Sequence, residues 1–238
     1  MNKKKIVSSL EFFQSEYKKS GFDAQRRYPN EEFCRFMGRN FFQIPKTDRK
    51  KFKILEVGCG AGSNLFLIAR ELFDAVGLDI SNEAIKLSKE MLAQYNCSAD
   101  YLISSMVNIA LDDNELDGVV DVFSSHCLNS KQGSDFLKEV FRILKVGGKF
   151  FSYFPSKNSD TWHLEQDNTL DNNTLNGLHR KDSPFYGNFH PFRFLYPEEY
   201  VSLIEENGLK VNYCETLSKT YNGMKEKFEF VILEAVKK

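Results

Sequence analysis

A glycine-rich turn that joins an apolar strand to a helix constrains the fold of this chain more than any other feature. The strand is predicted over Ile54–Val57, and residues Glu56–Gly62 read EVGCGAG. Glycine has no Cβ atom and reaches positive φ, so such a turn brings backbone amides and a helix N-terminus close to a bulky ligand. Asp79 ends the next predicted strand, where a carboxylate can accept hydrogen bonds from both hydroxyls of a ribose. Together these features predict a cofactor that contains a nucleoside.

Strand and helix patterns alternate on both sides of this turn. Apolar spacing predicts helices over Ser9–Lys19, Glu31–Phe42 and Ser63–Leu72, a helix from Ser81, a helix over Asp135–Leu144 and a helix from Pro197, with further strands over Ala75–Ile80, Tyr101–Ile103, Val119–Ser124, Lys149–Phe154, Leu209–Leu217 and Phe228–Val236. Repeated βα units build a parallel sheet, whereas the last two strands flank a turn at Asn222 and Gly223 and are expected to form an antiparallel hairpin. The chain is therefore predicted to be an α/β protein.

Three regions follow from this pattern. Residues 1–46 are expected to form a helical N-terminal cap, and residues 47–238 the α/β domain. Residues 155–196 break the βα rhythm with many Asn and Asp residues, and a connection of this length is usually a lid or a binding loop. We expect this insertion to cover the mouth of a substrate site.

Composition narrows the classes of ligand and compartment. The 32 Lys and Arg residues nearly balance 33 Asp and Glu residues, so no global field favours nucleic acid or an anionic membrane, and the expected substrate is small or neutral. The five cysteines include no C-x-x-C pair, which is typical of reduced thiols rather than of disulfides or zinc sites. No apolar run reaches the length of a membrane span. We expect a cytoplasmic protein without a metal site, and the sequence leaves its oligomeric state open.

The glycine turn has two competing interpretations. Nicotinamide dinucleotide sites use G-x-G-x-x-G or a close variant, and Ser63 stands where the third glycine of that pattern belongs. Here the third glycine comes two residues after the second, and EVGCGAG resembles motif I of the class I S-adenosylmethionine-dependent methyltransferases. The resemblance extends to Val76–Ser81 (VGLDIS) and to Leu144–Gly148 (LKVGG), where the family commonly reads L-K-P-G-G. It implies a Rossmann-like methyltransferase fold with a mostly parallel seven-stranded sheet in the order 3-2-1-4-5-7-6, the last strand antiparallel, and S-adenosylmethionine as cofactor.

The resemblance also implies roles for the residues around the turn. The glycines would pass beneath the methionine part of the cofactor, Asp79 would hold the ribose, and Ile80 would pack on the adenine. Glu56 would lie near the amino-acid end of the cofactor or brace the loop. The candidate cofactor-binding residues are Glu56, Gly58, Gly60, Gly62, Asp79, Ile80, Ser105, Met106 and Ser124.

Two histidines are candidates for proton transfer. Because a sulfonium already activates its methyl group, the protein mainly has to align a nucleophile and exclude water. For a hydroxyl nucleophile a histidine is the natural base, and His126 lies just beyond the fourth strand, where substrate meets cofactor in this fold. His190 is the second candidate. Either residue can instead hydrogen-bond the backbone or the cofactor without moving a proton.

The acceptor is the least constrained part of the interpretation. Arg27 and Tyr28 in the cap, with Trp162 and His163 in the insertion, are the candidate substrate residues, because arginine recognises carboxylates and aromatic rings cover sugars or ring systems. Residues Ser124–Asn129 lack the N-P-P-Y-like motif of enzymes that methylate amino groups. We therefore expect methyl transfer to a small-molecule or glycan acceptor, at a hydroxyl oxygen. The alternatives are a catalytically inactive protein that binds S-adenosylmethionine, a methyltransferase acting on RNA or protein, and a nicotinamide oxidoreductase.

Overall fold

A computed structural model describes residues 8–24 and 26–238. Its main sheet contains β1 (Lys53–Val57), β2 (Asp74–Asp79), β3 (Asp100–Ile103), β4 (Leu116–Val122), β5 (Leu144–Pro155), β9 (Leu209–Tyr221) and β10 (Glu226–Lys237), and a small second sheet contains β6 (Thr169–Asp171), β7 (Thr174–Asn176) and β8 (Pro191–Arg193). The helices are α1 (Ser9–Ser20), α2 (Glu31–Asn40), α3 (Ser63–Arg70), α4 (Asn82–Gln94), α5 (Ser130–Ile143), α6 (Asp160–Leu164) and α7 (Pro197–Glu206).

The main sheet has the order β3-β2-β1-β4-β5-β10-β9. Strands β1 to β5 pair in parallel, and β10 runs antiparallel to both β5 and β9. Because β10 is the seventh strand of this sheet in chain order, the predicted Rossmann-like methyltransferase order with an antiparallel last strand is confirmed. In this arrangement the carboxyl ends of β1, β2 and β4 lie at one edge, where open α/β sheets bind ligands.

Two predicted boundaries differ from the structure for identifiable reasons. Helix α5 begins at Ser130 and not at Asp135, because the Asn129 side chain caps the amide of Gln132 and the Gln132 side chain caps the amide of Asn129. Strand β4 ends at Val122 and not at Ser124, because Phe123 has a φ of +57° and turns the chain out of the sheet. The shorter strand brings the following residues to the ligand-binding edge.

The N-terminal helices make different contacts with the sheet. Helix α2 buries Phe33, Phe36 and Met37, and the Phe36 ring stacks on Phe151 of β5 with 4.9 Å between centroids. Helix α1 has no fully buried residue among its described side chains and packs mainly against α4. The predicted cap thus includes one helix that belongs to the main core and one that lies across the ligand-binding edge.

The insertion is a folded unit. Strands β6, β7 and β8 form an antiparallel sheet. It is fixed to the main domain where the Asp171 carboxylate accepts hydrogen bonds from the Ser130 amide at 3.0 Å and the Ser130 hydroxyl at 2.8 Å. This carboxylate lies at the N-terminus of α5, where the helix dipole favours a negative charge.

Within the described part of the chain, none of the helices combines the length and apolar character that a membrane crossing requires.

Candidate active site

The glycine turn is held open by the carboxylate of Asp79. Its Oδ2 atom accepts a hydrogen bond from the Gly60 amide at 2.9 Å, and Oδ1 accepts one from the Ser81 amide at 2.9 Å. Gly58 has a φ of +62°, and a Cβ atom there would lie 2.4 Å from the Cβ atom of Ser124. A side chain at position 58 would therefore separate the turn from the loop after β4, which explains the glycine.

A first cavity of about 120 Å³ extends from Asp79 along the end of β2, and we call it the Asp79 cavity. Five of the predicted cofactor residues besides Asp79 line it: Gly58, Ile80, Ser105, Met106 and Ser124. Burial raises the pKa of Asp79, while amide hydrogen bonds from Ser81 and Gly60 oppose that shift. The remaining walls come from Leu78, Leu128 and the aromatic side chains of α1. This combination of a carboxylate and apolar walls suits a ribose joined to a flat base.

A second cavity of about 200 Å³, which we call the Glu56 cavity, lies on the other side of the glycine turn. Glu56 and Gly60 line it. The Oε1 atom of Glu56 accepts a hydrogen bond from Asn64 Nδ2 at 2.8 Å, and Asn64 Oδ1 accepts one from the Asn30 amide at 2.8 Å. Among the described residues, the buried Oε2 atom of Glu56 has no partner with hydrogen-bond geometry, although the Leu65 amide lies near enough to this carboxyl to oppose the effect of burial on its pKa. Burial raises the pKa of this carboxyl to about 8, and the charges of Asp79 and Asp121 act in the same direction. An unpaired carboxyl oxygen at such a place is suited to a cationic ligand group.

The third predicted glycine has a structural position instead. Gly62 has a φ of +88° and caps α3, and a Cβ atom there would lie 2.4 Å from Ser88 Oγ. Gly62 lines neither of the two cavities. Its place in the pattern therefore reflects the close approach of α3 and α4.

The loop after β4 is shaped by Asp121, which sequence reasoning missed. Its Oδ1 atom accepts hydrogen bonds from the amides of Ser124 at 3.1 Å and Ser125 at 2.9 Å, and from the Ser124 hydroxyl at 2.6 Å. Its Oδ2 atom accepts hydrogen bonds from the hydroxyls of Ser125 and Ser152. Asp121 is fully buried, so the carboxylate acts as a clamp that fixes the loop carrying His126. Two serines close after an acid, Ser124 and Ser125, were the only signal of it in the sequence.

His126 lines the Glu56 cavity, as its position after β4 predicted. The ring is 3% exposed and packs against Phe123 and Phe192, each at 4.3 Å between centroids. Burial lowers its pKa well below the ordinary value, and the nearby His190 and Arg193 act in the same direction. Within residues 8–24 and 26–238, Nδ1 of His126 has no hydrogen-bond partner. The imidazole is therefore neutral at physiological pH, with one nitrogen unsatisfied by the protein.

The structure does not place His190 where the prediction needs it. His190 is fully buried and lines neither cavity. Its Nδ1 atom is 2.8 Å from the Pro191 carbonyl oxygen and its Nε2 atom 3.3 Å from Asn188 Oδ1, so both nitrogens have partners. Phe12 and Phe13 of α1 pack on the ring, and burial lowers its pKa to about 4. His190 is thus a packing residue in this structure, and its role in proton transfer stays a prediction.

The four predicted substrate residues also lie outside both cavities. Trp162 is buried beside Phe194, with 5.6 Å between ring centroids, and belongs to the core of the insertion. His163 is exposed, and Tyr28 is 75% exposed. Arg27 is exposed too, whereas its neighbour Arg26 lines the Glu56 cavity. The substrate roles of Arg27, Tyr28, Trp162 and His163 therefore stay predictions.

Helix α1 supplies aromatic residues that sequence reasoning did not assign to the site. Phe13 and Tyr17 line both cavities, and the Tyr17 hydroxyl lies 2.8 Å from where a Cβ atom of Gly60 would be. Gln14, on the same helix, accepts a hydrogen bond from the Ser81 hydroxyl at 2.7 Å. The spacing of Phe13 and Tyr17 by four residues, which puts both on one helix face, was the available signal.

Known proteins agree with this architecture. Residues 54–148 match the family model described as a methyltransferase domain. A phthiotriol/phenolphthiotriol dimycocerosates methyltransferase of Mycobacterium tuberculosis is 35% identical over 105 residues, which cover 43% of this chain and 36% of that protein. A fatty-acid O-methyltransferase of Mycolicibacterium smegmatis is 31% identical over 108 residues, covering 44% of this chain and 38% of that protein. The chain thus spans less than half the length of these curated relatives.

Other relatives are named for acceptors as different as tRNA cytidine and phosphoethanolamine. Among solved structures, a SAM-dependent methyltransferase from Methanosarcina mazei has a TM-score of 0.61 at 19% identity, covering 78% of this chain and 92% of that one. At this identity the likeness shows the fold alone. The match to the family model begins in β1 and includes the glycine turn. The family match and the named relatives therefore identify residues 54–148 as a methyltransferase domain.

Proposed function

We propose that this protein transfers the methyl group of S-adenosylmethionine to a hydroxyl oxygen of a small acceptor with an apolar body. The observation that carries the acceptor class is the neutral His126, a residue of the Glu56 cavity wall whose Nδ1 atom is buried and has no hydrogen-bond partner among the described residues. Phe13 and Phe123 supply apolar walls of the same cavity. A neutral imidazole in an apolar site is suited to take a proton from a hydroxyl group as the oxygen attacks.

The residues of the two cavities fit the cofactor. The Asp79 carboxylate is in place for the ribose hydroxyls, and the apolar walls around Ile80 and Met106 for the adenine. The unpaired Oε2 atom of Glu56 is in place for the ammonium group of the methionine part. S-adenosylmethionine supplies an activated methyl group on a sulfonium, so the remaining work of the protein is alignment, exclusion of water and acceptance of a proton.

The names of two relatives support a lipid-like hydroxyl or carboxyl acceptor, since they refer to phthiotriol dimycocerosates and to a fatty acid. The absence of an amino-methylation motif at Ser124–Asn129 points in the same direction. Glycan acceptors share the hydroxyl chemistry and remain within the proposal.

Replacement of Asp79 by alanine is expected to weaken binding of S-adenosylmethionine about 10- to 100-fold, because the hydrogen bonds that two ribose hydroxyls donate to the carboxylate are lost. Isothermal titration calorimetry measures this change. Asp74→Ala is the matched control, since Asp74 is an exposed acid at the opposite end of β2 and should leave the affinity unchanged. Unchanged affinity in Asp79→Ala would contradict the ribose assignment.

Acceptor class is tested by incubating the protein with methyl-labelled S-adenosylmethionine and separate panels of fatty acids, phenols, lipid alcohols, glycans, amines and tRNA. We expect label in an ether or ester of the hydroxyl and carboxyl panels. Label confined to amines or tRNA would overturn the hydroxyl proposal, and donor binding without transfer to any panel would favour a catalytically inactive binding protein. Binding of a nicotinamide dinucleotide in place of the donor would overturn the methyltransferase interpretation altogether.

A further inference from the structure

The Asp79 cavity and the Glu56 cavity adjoin each other, and we call the wall that they share the junction. Four residues line both cavities: Phe13, Tyr17, Gly58 and Phe123. Three of the four are aromatic and come from two separate parts of the chain. The junction is therefore lined by three aromatic residues and one glycine.

Phe123 is held at the junction in an unfavourable backbone conformation. Its φ of +57° is in the left-handed region, which costs a bulky residue on the order of 1–3 kcal/mol. The conformation is imposed from both sides: the Phe123 amide donates to the Tyr153 carbonyl oxygen at 2.9 Å, and the Asp121 clamp fixes the two residues that follow. A strained backbone that is held in place by several hydrogen bonds is typical of functional sites, so we infer that the position of the Phe123 ring is important for function.

Helix α1 is fastened over the same junction at two points. The Ser81 hydroxyl donates to Gln14 at 2.7 Å, and the Ser9 hydroxyl donates to the Cys127 carbonyl oxygen at 3.3 Å. One contact ties the helix to the end of β2 and the other to the loop after β4. The rings of Phe13 and Tyr17 are thereby placed over the glycine turn without being buried in the core.

We propose that Phe13, Tyr17 and Phe123 form an aromatic cage that recognises the positive charge of the sulfonium. In S-adenosylmethionine the sulfur atom joins the ribose to the methionine side chain. A cofactor with its ribose at Asp79 and its ammonium group at Glu56 therefore has its sulfur at the junction of the two cavities. Aromatic faces attract a desolvated cation, as in sites that bind quaternary ammonium groups.

The cage has a consequence for the two forms of the cofactor. S-adenosylmethionine carries the positive sulfur, whereas S-adenosylhomocysteine, which remains after methyl transfer, is a neutral thioether with the same ribose, adenine and amino-acid groups. The groups proposed to contact Asp79 and Glu56 are the same in both ligands. The ligands differ in charge only at the sulfur atom, which is proposed to lie at the junction. The cage should favour the methylated donor and ease release of the product. This inference rests on the cofactor and does not depend on the acceptor.

Isothermal titration calorimetry of both ligands with wild-type protein and Phe123→Leu tests the cage. Leucine keeps an apolar side chain but has no π face, so the affinity for S-adenosylmethionine is expected to fall about 10-fold while that for S-adenosylhomocysteine changes less than about 3-fold. Tyr17→Leu should shift the affinity ratio in the same direction, and Tyr17→Phe, which keeps the ring, should not. Phe12→Leu is the matched control, because Phe12 lies on the same helix but lines neither cavity.

An equal loss of affinity for both ligands in Phe123→Leu would overturn the cage, because it would show a packing effect without charge recognition. An unchanged affinity ratio in both Phe123→Leu and Tyr17→Leu would overturn it as well. Failure of the wild-type protein to bind either ligand would instead overturn the cofactor assignment. If Phe123→Leu relaxes the strained turn and fails to fold, the Tyr17→Leu and Tyr17→Phe pair still decides the proposal.

Discussion

Replacement of His126 by alanine is expected to lower turnover about 100- to 1,000-fold while the affinity for S-adenosylmethionine changes less than about 3-fold. The imidazole lines the Glu56 cavity and has an unpaired Nδ1 atom among the described residues, but none of the groups in place for the cofactor contacts it through a hydrogen bond. Loss of a positioned base affects the transition state rather than donor binding. Single-turnover kinetics with the acceptor found in the labelling panels, together with calorimetry of the donor, separates the two quantities.

The pH dependence gives a second test of His126. Because burial lowers its pKa well below the ordinary value of about 6.5, the ring is already neutral at physiological pH. Turnover at saturating donor should therefore be flat above about pH 6.5 and fall only in more acidic solution, as the imidazole becomes protonated. A histidine with an ordinary pKa would instead place the midpoint of the decline near neutrality.

The control for this experiment is His163→Ala, since His163 is an exposed histidine outside both cavities. His126→Gln is a second variant. Glutamine fills more of the space of the imidazole than alanine does, so it disturbs the packing of the aromatic cluster around Phe123 and Phe192 less. If both His126 variants fold and turn over at the wild-type rate, His126 is not a base, and methyl transfer depends on alignment alone.

Part of the topology of this protein was predictable from local patterns. The parallel strands of the main sheet follow from repeated βα units and the antiparallel hairpin from Asn222 and Gly223, whereas the strand order was implied by the resemblance to class I methyltransferases. The ends of β1 and β2 were marked by their own residues, so the positions of Glu56 and Asp79 at the ligand-binding edge were predictable as well. Each of these inferences needs only a short segment of sequence and the rule that parallel strands end at the same edge.

The composition of the site was harder to predict because it depends on contacts between distant segments. His190 appeared equivalent to His126 in sequence, and its burial is decided by Phe12 and Phe13, which come from the other end of the chain. Trp162 appeared available for a substrate but packs into the core of an insertion whose strands are too short to be recognised from periodicity. A local sequence pattern does not indicate which of several aromatic residues faces a cavity and which is buried in a core.

Replacement of Glu56 by glutamine is expected to weaken binding of S-adenosylmethionine about 100-fold. The same replacement is expected to stabilise the free protein at neutral pH. Burial raises the pKa of Glu56 to about 8, so the free protein holds this carboxyl protonated at neutral pH. Glutamine resembles the protonated acid and can still accept the hydrogen bond from Asn64. It cannot ionise to pair with an ammonium group, and leaving one charge of a buried pair unmatched costs about 3–5 kcal/mol.

The stabilisation follows from the different pKa values of the folded and unfolded states. An unfolded glutamate has a pKa of about 4.3, so between that pH and about 8 the folded protein binds a proton that the unfolded chain has released. The free energy of unfolding of the wild-type protein therefore decreases as pH rises through this range. Glu56→Gln removes the decrease, and its advantage at neutral pH should be on the order of 1–3 kcal/mol, or a few degrees in Tm, and absent below about pH 4.

The carboxyl of Glu56 is expected to lose its proton when S-adenosylmethionine binds. The wild-type protein should therefore release close to one proton per S-adenosylmethionine bound at neutral pH, and the Glu56→Gln variant should release distinctly less than one. Calorimetry in two buffers of different ionisation enthalpy measures this number, and thermal unfolding at several pH values measures the stability. The matched control is Glu229→Gln: this buried carboxylate lies on β10, accepts hydrogen bonds from Ser156, Asn158 and Ser218, and lines neither cavity. Its replacement should destabilise the protein and leave donor affinity and proton release unchanged. Wild-type donor affinity in Glu56→Gln would show that the Glu56 cavity does not hold the amino-acid end of the cofactor. A loss of stability in that variant at neutral pH would show that the free protein does not hold this carboxyl protonated.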